Sequence, residues 1–223
     1  MPNIVIIIAA AVLLAGLLYF EKNGNQKGKL PTKTILSGLF ILTVLLQPHP
    51  FPEYFYILLI GLIFCLGGDV FLALPQERMF LFGLMFLFGL ISFLMGHVFY
   101  VIGFFYVADL NPWTWGGSAI GLAISGRVFF WLRPHLGSML GPVIAYIIVI
   151  TAMVAGAFTV LGDARLHSTG RFLVIFGAVS FYISDLFVAR DRFFKTEFSN
   201  RLLGLPLYYA GQFLLAFSVG LIK

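Results

Sequence analysis

Long apolar runs separated by short polar breaks set the pattern of this chain. Eight runs approach the roughly 20 residues that a helix needs to cross a bilayer core about 30 Å thick. They cover about 3–20, 34–47, 54–74, 80–106, 114–132, 139–160, 170–189 and 205–222. The second is short and is expected to tilt or lie shallow. The fourth carries Gly83, Gly89 and Gly96 and is long enough to tilt or bend. The fifth has the softest boundary, because "NPWTWGG" leads into it and Arg127 lies within it. The breaks are short, and none resembles a soluble domain or a low-complexity linker. The expectation is an all-α membrane protein, with residues 1–223 forming a single bundle of about eight transmembrane helices.

Composition turns that expectation into a requirement. The chain is 61% hydrophobic and only 10% charged, with a mean hydropathy of +1.01. A soluble domain is nearer half apolar and a quarter charged, so the solvent here must be lipid. The first run has no basic residue before it and no convincing cleavage site after it, and reads as a retained helix. The single Cys65 sits inside an apolar run, so neither a disulfide framework nor a metal-type Cys/His cluster is indicated, and no cofactor is expected.

A net charge of +5 would fit nucleic acid, but the cations are not gathered on a soluble domain, and membrane topology accounts for them better. The first loop carries Lys22, Lys27, Lys29 and Lys33, and the seventh carries Arg190, Arg192, Lys195 and Arg201. With eight spans these loops share a side with Arg78, Arg127 and Arg133, leaving Arg165, Arg171 and Lys223 opposite. Eleven of the fourteen cations then face one way, which makes that side cytoplasmic and puts both termini outside. A multi-pass protein of a bacterial cytoplasmic membrane is the expected setting.

Against this apolar background two octets stand out, "GGDVFLAL" (67–74) and "YISDLFVA" (182–189). Both place an Asp among aliphatic residues, Phe and Ala. Aligning Asp69 with Asp185 pairs Gly61 with Gly177, Gly68 with Ser184, Phe71 with Phe187, and Ala73 with Ala189. Spans three and seven then run in the same direction, as in two parallel four-helix repeats. Chance among abundant Gly, Phe and Ala is the competing explanation. Each Asp lies about five residues before the cytoplasmic end of its span, so each carboxyl is expected roughly 7–8 Å inside the boundary. Arg127, Tyr146, Tyr208, Tyr209, Gln212 and Lys33 approach the same layer from other spans.

An intramembrane carboxylate costs about 2.5–3.5 kcal/mol on insertion scales, so each needs a reason. A carboxyl that only caps or tethers a neighbouring helix is one reason, more natural for one Asp than for both. Proton or cation transport through a gated path is a second. The third is acid/base chemistry on a lipid held at the inner leaflet, where poor hydration lets one carboxyl keep a proton while its partner stays ionised.

Four stretches carry a resemblance. "GGDVFLAL", "FGLMFLFGLISFLMGHVFY", "FGAVSFYISDLFVARDRF" and "LPLYYAGQFL" resemble, in this order, the YhhN-type lysoplasmalogenase family, from Asp69 to Gln212. The matching elements are Gly68–Asp69, Gly96–His97 with Tyr100, Ser184–Asp185, and Tyr208–Tyr209 with Gln212. A departure lies in "LPTKT", where many members have Lys-Pro entering the second span; Lys33 is the nearest equivalent.

The resemblance implies hydrolysis of the vinyl ether bond of a lysoplasmalogen to a fatty aldehyde and a glycerophospho-base. That chemistry asks for one protonated carboxyl and one carboxylate, which Asp69 and Asp185 would supply in an order the sequence leaves open. Tyr209 and Gln212, three apart on one helix, are candidates to orient water or the glycerol hydroxyl. Lys33 and Arg127 are candidates for the phosphate, with ordinary boundary snorkelling as the competing role. Tyr100, Tyr146, Ser184 and Tyr208 complete the expected substrate site. His97 is expected about 25 Å along its span, in the outer half, where helix packing competes with a site role. The expected partners are a lysophospholipid substrate and membrane lipid, and no nucleic acid. A small proton-coupled transporter is the alternative, but it would want polar groups reaching both faces.

Overall fold

The computed structural model describes residues 2–74 and 79–222, with the side chains of residues 79–82 left aside. Arg78 and Lys223, used in the charge count, lie outside the described residues. Eight helices follow in order: α1 (Pro2–Lys22), α2 (Gln26–Leu46), α3 (Pro52–Ala73), α4 (Met79–Val107), α5 (Pro112–Leu132), α6 (Leu140–Gly162), α7 (Ser168–Phe193) and α8 (Phe198–Ser218). Two single 3₁₀ turns, Arg133–His135 and Gly137–Met139, join α5 to α6.

Every predicted span corresponds to one of these helices, and the differences lie at the polar ends. Helix α2 starts at residue 26 rather than 34, α8 at 198 rather than 205, and α7 runs on to 193 rather than 189. Polar first turns and the internal prolines Pro31 and Pro206 hide these ends in a hydropathy pattern. Helical backbone keeps its hydrogen bonds satisfied through the interface, so the helix outlasts its apolar stretch. Local signals fix the sharper starts. Asn25 accepts a hydrogen bond from the Gly28 amide at the head of α2. At α5, Asn111 accepts from the Trp113 amide while its own amide donates to Thr114, with Pro112 in the first turn.

Six of these helices, α1 to α4, α6 and α7, are long and apolar enough to cross a membrane. Helices α5 and α8 have 21 residues each, so they fall short in hydropathy rather than length. In α8 the polar residues Asn200, Tyr208, Tyr209 and Gln212 are turned inward and buried. Outward-facing surfaces are apolar: Ile4, Val5 and Val12 of α1, Leu122 and Phe130 of α5, and Phe176 of α7 are all exposed. A surface of this kind is at home in lipid.

Neighbouring helices recur in a two-fold pattern. Helix α2 packs against α3 and α8, and α6 packs against α7 and α4, while α3·α4 and α7·α8 form tight pairs. A Cβ on Gly61 would come within 3.1 Å of the Gly96 carbonyl, and one on Gly177 within 3.1 Å of the Gly211 carbonyl. Two close glycine crossings thus sit at matching places in the α3·α4 and α7·α8 pairs.

Charge collects at the two ends of the bundle. At one end Glu21 pairs with Lys29 at 2.9 Å and with Arg201 at 3.2 Å, and Arg201 also reaches Asp191 at 3.1 Å. Nearby, Lys195 holds the Glu197 carboxyl below its usual range by hydrogen bonding. At the other end Arg165 bridges Asp163 and Asp109, and its hydrogen bonds hold Asp163 below the usual carboxylate range.

Candidate active site

A cavity of about 560 Å³ opens among the helices at the Glu21 end, and every helix contributes to its wall. Charged and polar groups form the mouth: Glu21, Lys29, Asp191, Asn200 and Arg201. Deeper in, Lys33, Asp69, Tyr146, Ser184, Asp185 and Tyr208 line it, against an apolar wall that includes Phe93 and Ile150. Both intramembrane aspartates therefore open into one space.

Their surroundings differ. Asp69 is 1% exposed, and its Oδ1 faces Lys33 Nζ at 3.1 Å with no other partner among the described residues. Its Oδ2 accepts hydrogen bonds from Ser37 Oγ and Tyr208 OH, both at 2.5 Å. Asp185 accepts from Tyr146 OH at 2.6 Å through Oδ2, and no cation pairs with it among the described residues. One carboxyl thus has a cation and two hydroxyls, the other a single phenol.

Behind Asp69 runs a string of buried polar groups. Gln212 donates through Nε2 to Tyr208 OH at 3.3 Å and accepts at Oε1 from Tyr100 OH at 2.7 Å. Tyr209 OH lies 3.3 Å from Ser37 Oγ. Tyr208 and Gln212 stack one turn apart on α8, so it is Tyr208 that reaches the cavity, while Tyr209, Gln212 and Tyr100 support it from behind. The hydroxyls and amide hold the Asp69–Tyr208 geometry in place.

Three predicted positions had boundary snorkelling or helix packing as a competing role. Arg127 is exposed and does not line the cavity, because it lies on the outer face of α5, where Val128 and Leu132 point inward. Lys33 lines the cavity, but its ammonium is already engaged by Asp69. The other cations lining the cavity are Lys29, Arg192 and Arg201, of which Lys29 and Arg201 share Glu21. His97 is fully buried behind the cavity wall, with its ring edge-on to Phe181 at 4.4 Å and to Tyr146 at 5.3 Å. Its Nδ1 donates to the Phe93 carbonyl at 2.6 Å, which leaves Nε2 as an acceptor without a partner among the described residues.

The depths also differ. Asp69 lies four residues before the end of α3, about 6 Å, whereas Asp185 lies eight before the end of α7, about 12 Å. Ser37 escaped the sequence reading, although it stands one turn after Lys33 and shares its face. Lys29 and Arg201 read there only as loop charges, and Glu21 was not singled out.

The model of the YhhN family matches residues 28–219. A cattle (Bos taurus) protein named lysoplasmalogenase TMEM86A is 28% identical over 164 residues, which is 71% of this chain and 63% of that protein. The match thus spans less than two thirds of that relative's length. No solved structure gives a significant match.

Proposed function

The chain belongs to the YhhN family, and on that premise we propose that it is a membrane enzyme that hydrolyses the vinyl ether bond of a lysoplasmalogen. The observation that carries this reading is the pair of aspartates opening into one cavity with unequal partners. The Lys33 ammonium and two hydroxyl donors favour the ionised form of Asp69. Nothing cationic touches Asp185 among the described residues, so it is the carboxyl suited to carry a proton into the site. Asp185 is the general acid and Asp69 the general base.

The atoms balance as follows. Asp185 gives its proton to the alkene carbon farther from the ether oxygen, and the cation is shared between the other vinyl carbon and the ether oxygen. Water adds to that carbon and loses a proton to Asp69. In the hemiacetal, the C–O bond to glycerol breaks as Asp69 returns that proton to the departing oxygen. The remaining hydroxyl proton passes to Asp185, which restores the starting state. The net change is one water consumed, with one aldehyde and one alcohol released. The cation develops beside the Asp69 carboxylate, where fixed charge is most effective at lowering a barrier. Lys29 and Arg201 at the mouth hold the phosphate, and Lys33 serves to orient and charge Asp69. The mouth faces the cytoplasm and takes its lipid from the inner leaflet.

Purified protein given matched lysoplasmenyl, alkyl-ether and acyl lysolipids tests the reaction class. Aldehyde released from the vinyl ether alone is the expected result. Cleavage of the acyl lipid alone overturns the proposal.

A further inference from the structure

A second hollow of about 400 Å³ lies between α5 (from Ser118 to Phe129) and α6 (from Ile147 to Ala155). Its rim residues Leu122 and Ile148 are 66% and 62% exposed, so it opens sideways onto the apolar belt and not onto the charged ends. The hollow and the catalytic cavity share a wall. Ile147 lines both, and Tyr182 of the cavity is 2.9 Å from Ser125 of the hollow. Thr151 Oγ1 donates to the Ile147 carbonyl at 2.6 Å, so its oxygen accepts from Ser125 at 2.6 Å. Ser125 in turn accepts from Tyr182 OH, since each hydroxyl has one proton. This chain satisfies every hydroxyl along the partition and leaves the hollow apolar.

We propose that the hydrocarbon tail of the lysolipid leaves the catalytic cavity past Tyr182 and Ser125 and lies in the α5–α6 groove. The inference rests on the vinyl ether reading, which puts the first two tail carbons at Asp185. From there the rest of the tail must run away from the charged mouth. Tyr182 stands on α7 about 4.5 Å, just under one turn, further from the mouth than Asp185, on that course. The Tyr182–Ser125 hydrogen bond and the Ile147 side chain stand between the two spaces along it. A groove open to lipid also lets a tail slide in from the bilayer without its headgroup crossing the apolar layer.

Full-length protein in nanodiscs, given a saturated alkyl-ether lysolipid with a diazirine at its tail end, tests this by photolabelling and peptide mapping. The expected result is labelling within residues 118–129 and 147–155 that an excess of the unlabelled ether lysolipid displaces. Labelling there that is not displaced marks ordinary bilayer lipid and overturns the proposal, as does displaceable labelling elsewhere.

Gly126→Trp gives a second arm, since a Cβ on Gly126 meets open space and the indole would fill the groove. The ratio of kcat/KM for a long-tailed vinyl ether lysolipid to that for a six-carbon one is expected to fall at least about tenfold, as when two methylenes lose their place. An unchanged ratio overturns the tail path. Displaceable groove labelling without aldehyde from any vinyl ether leaves the tail site standing and removes the reaction. Aldehyde release without displaceable labelling does the reverse.

Discussion

At the scale of single residues, the two aspartates differ enough to be separated by mutation. Asp185→Asn removes the proposed proton donor while keeping an acceptor for Tyr146. The expected loss in kcat is about 10²–10⁴-fold, the range of general acid catalysis, with little change in thermal unfolding. Asp69→Asn is different, because it strands the Lys33 ammonium, which is 8% exposed at its side chain. Breaking one side of a buried ion pair costs about 3–5 kcal/mol, so this variant is expected to lose stability as well as activity. Adding Lys33→Met removes the stranded charge. The double variant should regain much of the stability and none of the activity, a split read by paired unfolding and aldehyde assays. If Asp69→Asn turns over normally, the carboxylate role is gone. Both aspartates were visible from sequence because a carboxylate in an apolar span is costly. Ser37 was not, since a serine in an apolar helix is usually a packing residue and only its distance to Asp69, 2.5 Å, gives it meaning.

At the scale of helices, depth was legible to within about one turn and facing was not. Counting residues from a span end places a side chain along the membrane normal, and that brought Tyr146 and Tyr208 to the right layer. It brought Arg127 there too, yet Arg127 is on the outer face of α5. Both lipid and protein interior are apolar, so hydrophobic periodicity does not say which side of a membrane helix points inward. Small residues say more. Gly61→Ala would press on Tyr100 at 2.6 Å, and Gly177→Ala on Leu215 at 2.9 Å, each with a backbone carbonyl 3.1 Å away. Each substitution is expected to cost about 1–3 kcal/mol in unfolding free energy. Gly61→Ala should also slow turnover, because Tyr100 supports Gln212 and through it Tyr208. Gly16→Ala, with open space around its Cβ, is the control and should be neutral or slightly stabilising. Equal effects at all three sites would mean that the close crossings are not what holds these pairs together.

For the whole molecule, the alternation of apolar runs and polar breaks found eight helices, and the polar turns it missed are those that build the charged mouth. Residues 26–33 and 198–204 add the helical ends that carry Lys29, Asn200 and Arg201 to the cavity rim. A hydropathy window discounts such turns because they are polar, although they remain helical at the interface. Which way the mouth faces rests on the distribution of cations, and it decides which leaflet supplies the lipid. Single cysteines at Ser168, the first residue of α7, and Ser199, in the first turn of α8, are exposed at opposite ends of the bundle and measure it without altering charge. The native Cys65 is fully buried and should stay silent toward a membrane-impermeant reagent. Ser168→Cys is expected to react in intact cells, and Ser199→Cys only after the membrane is opened. The reverse pattern would put the cavity mouth at the outer leaflet. The acid/base chemistry would survive that result unchanged, because it depends on Asp69, Asp185 and their partners. The source of the lipid would not, since a single-chain lipid with a charged headgroup does not readily cross the apolar layer to reach the other face.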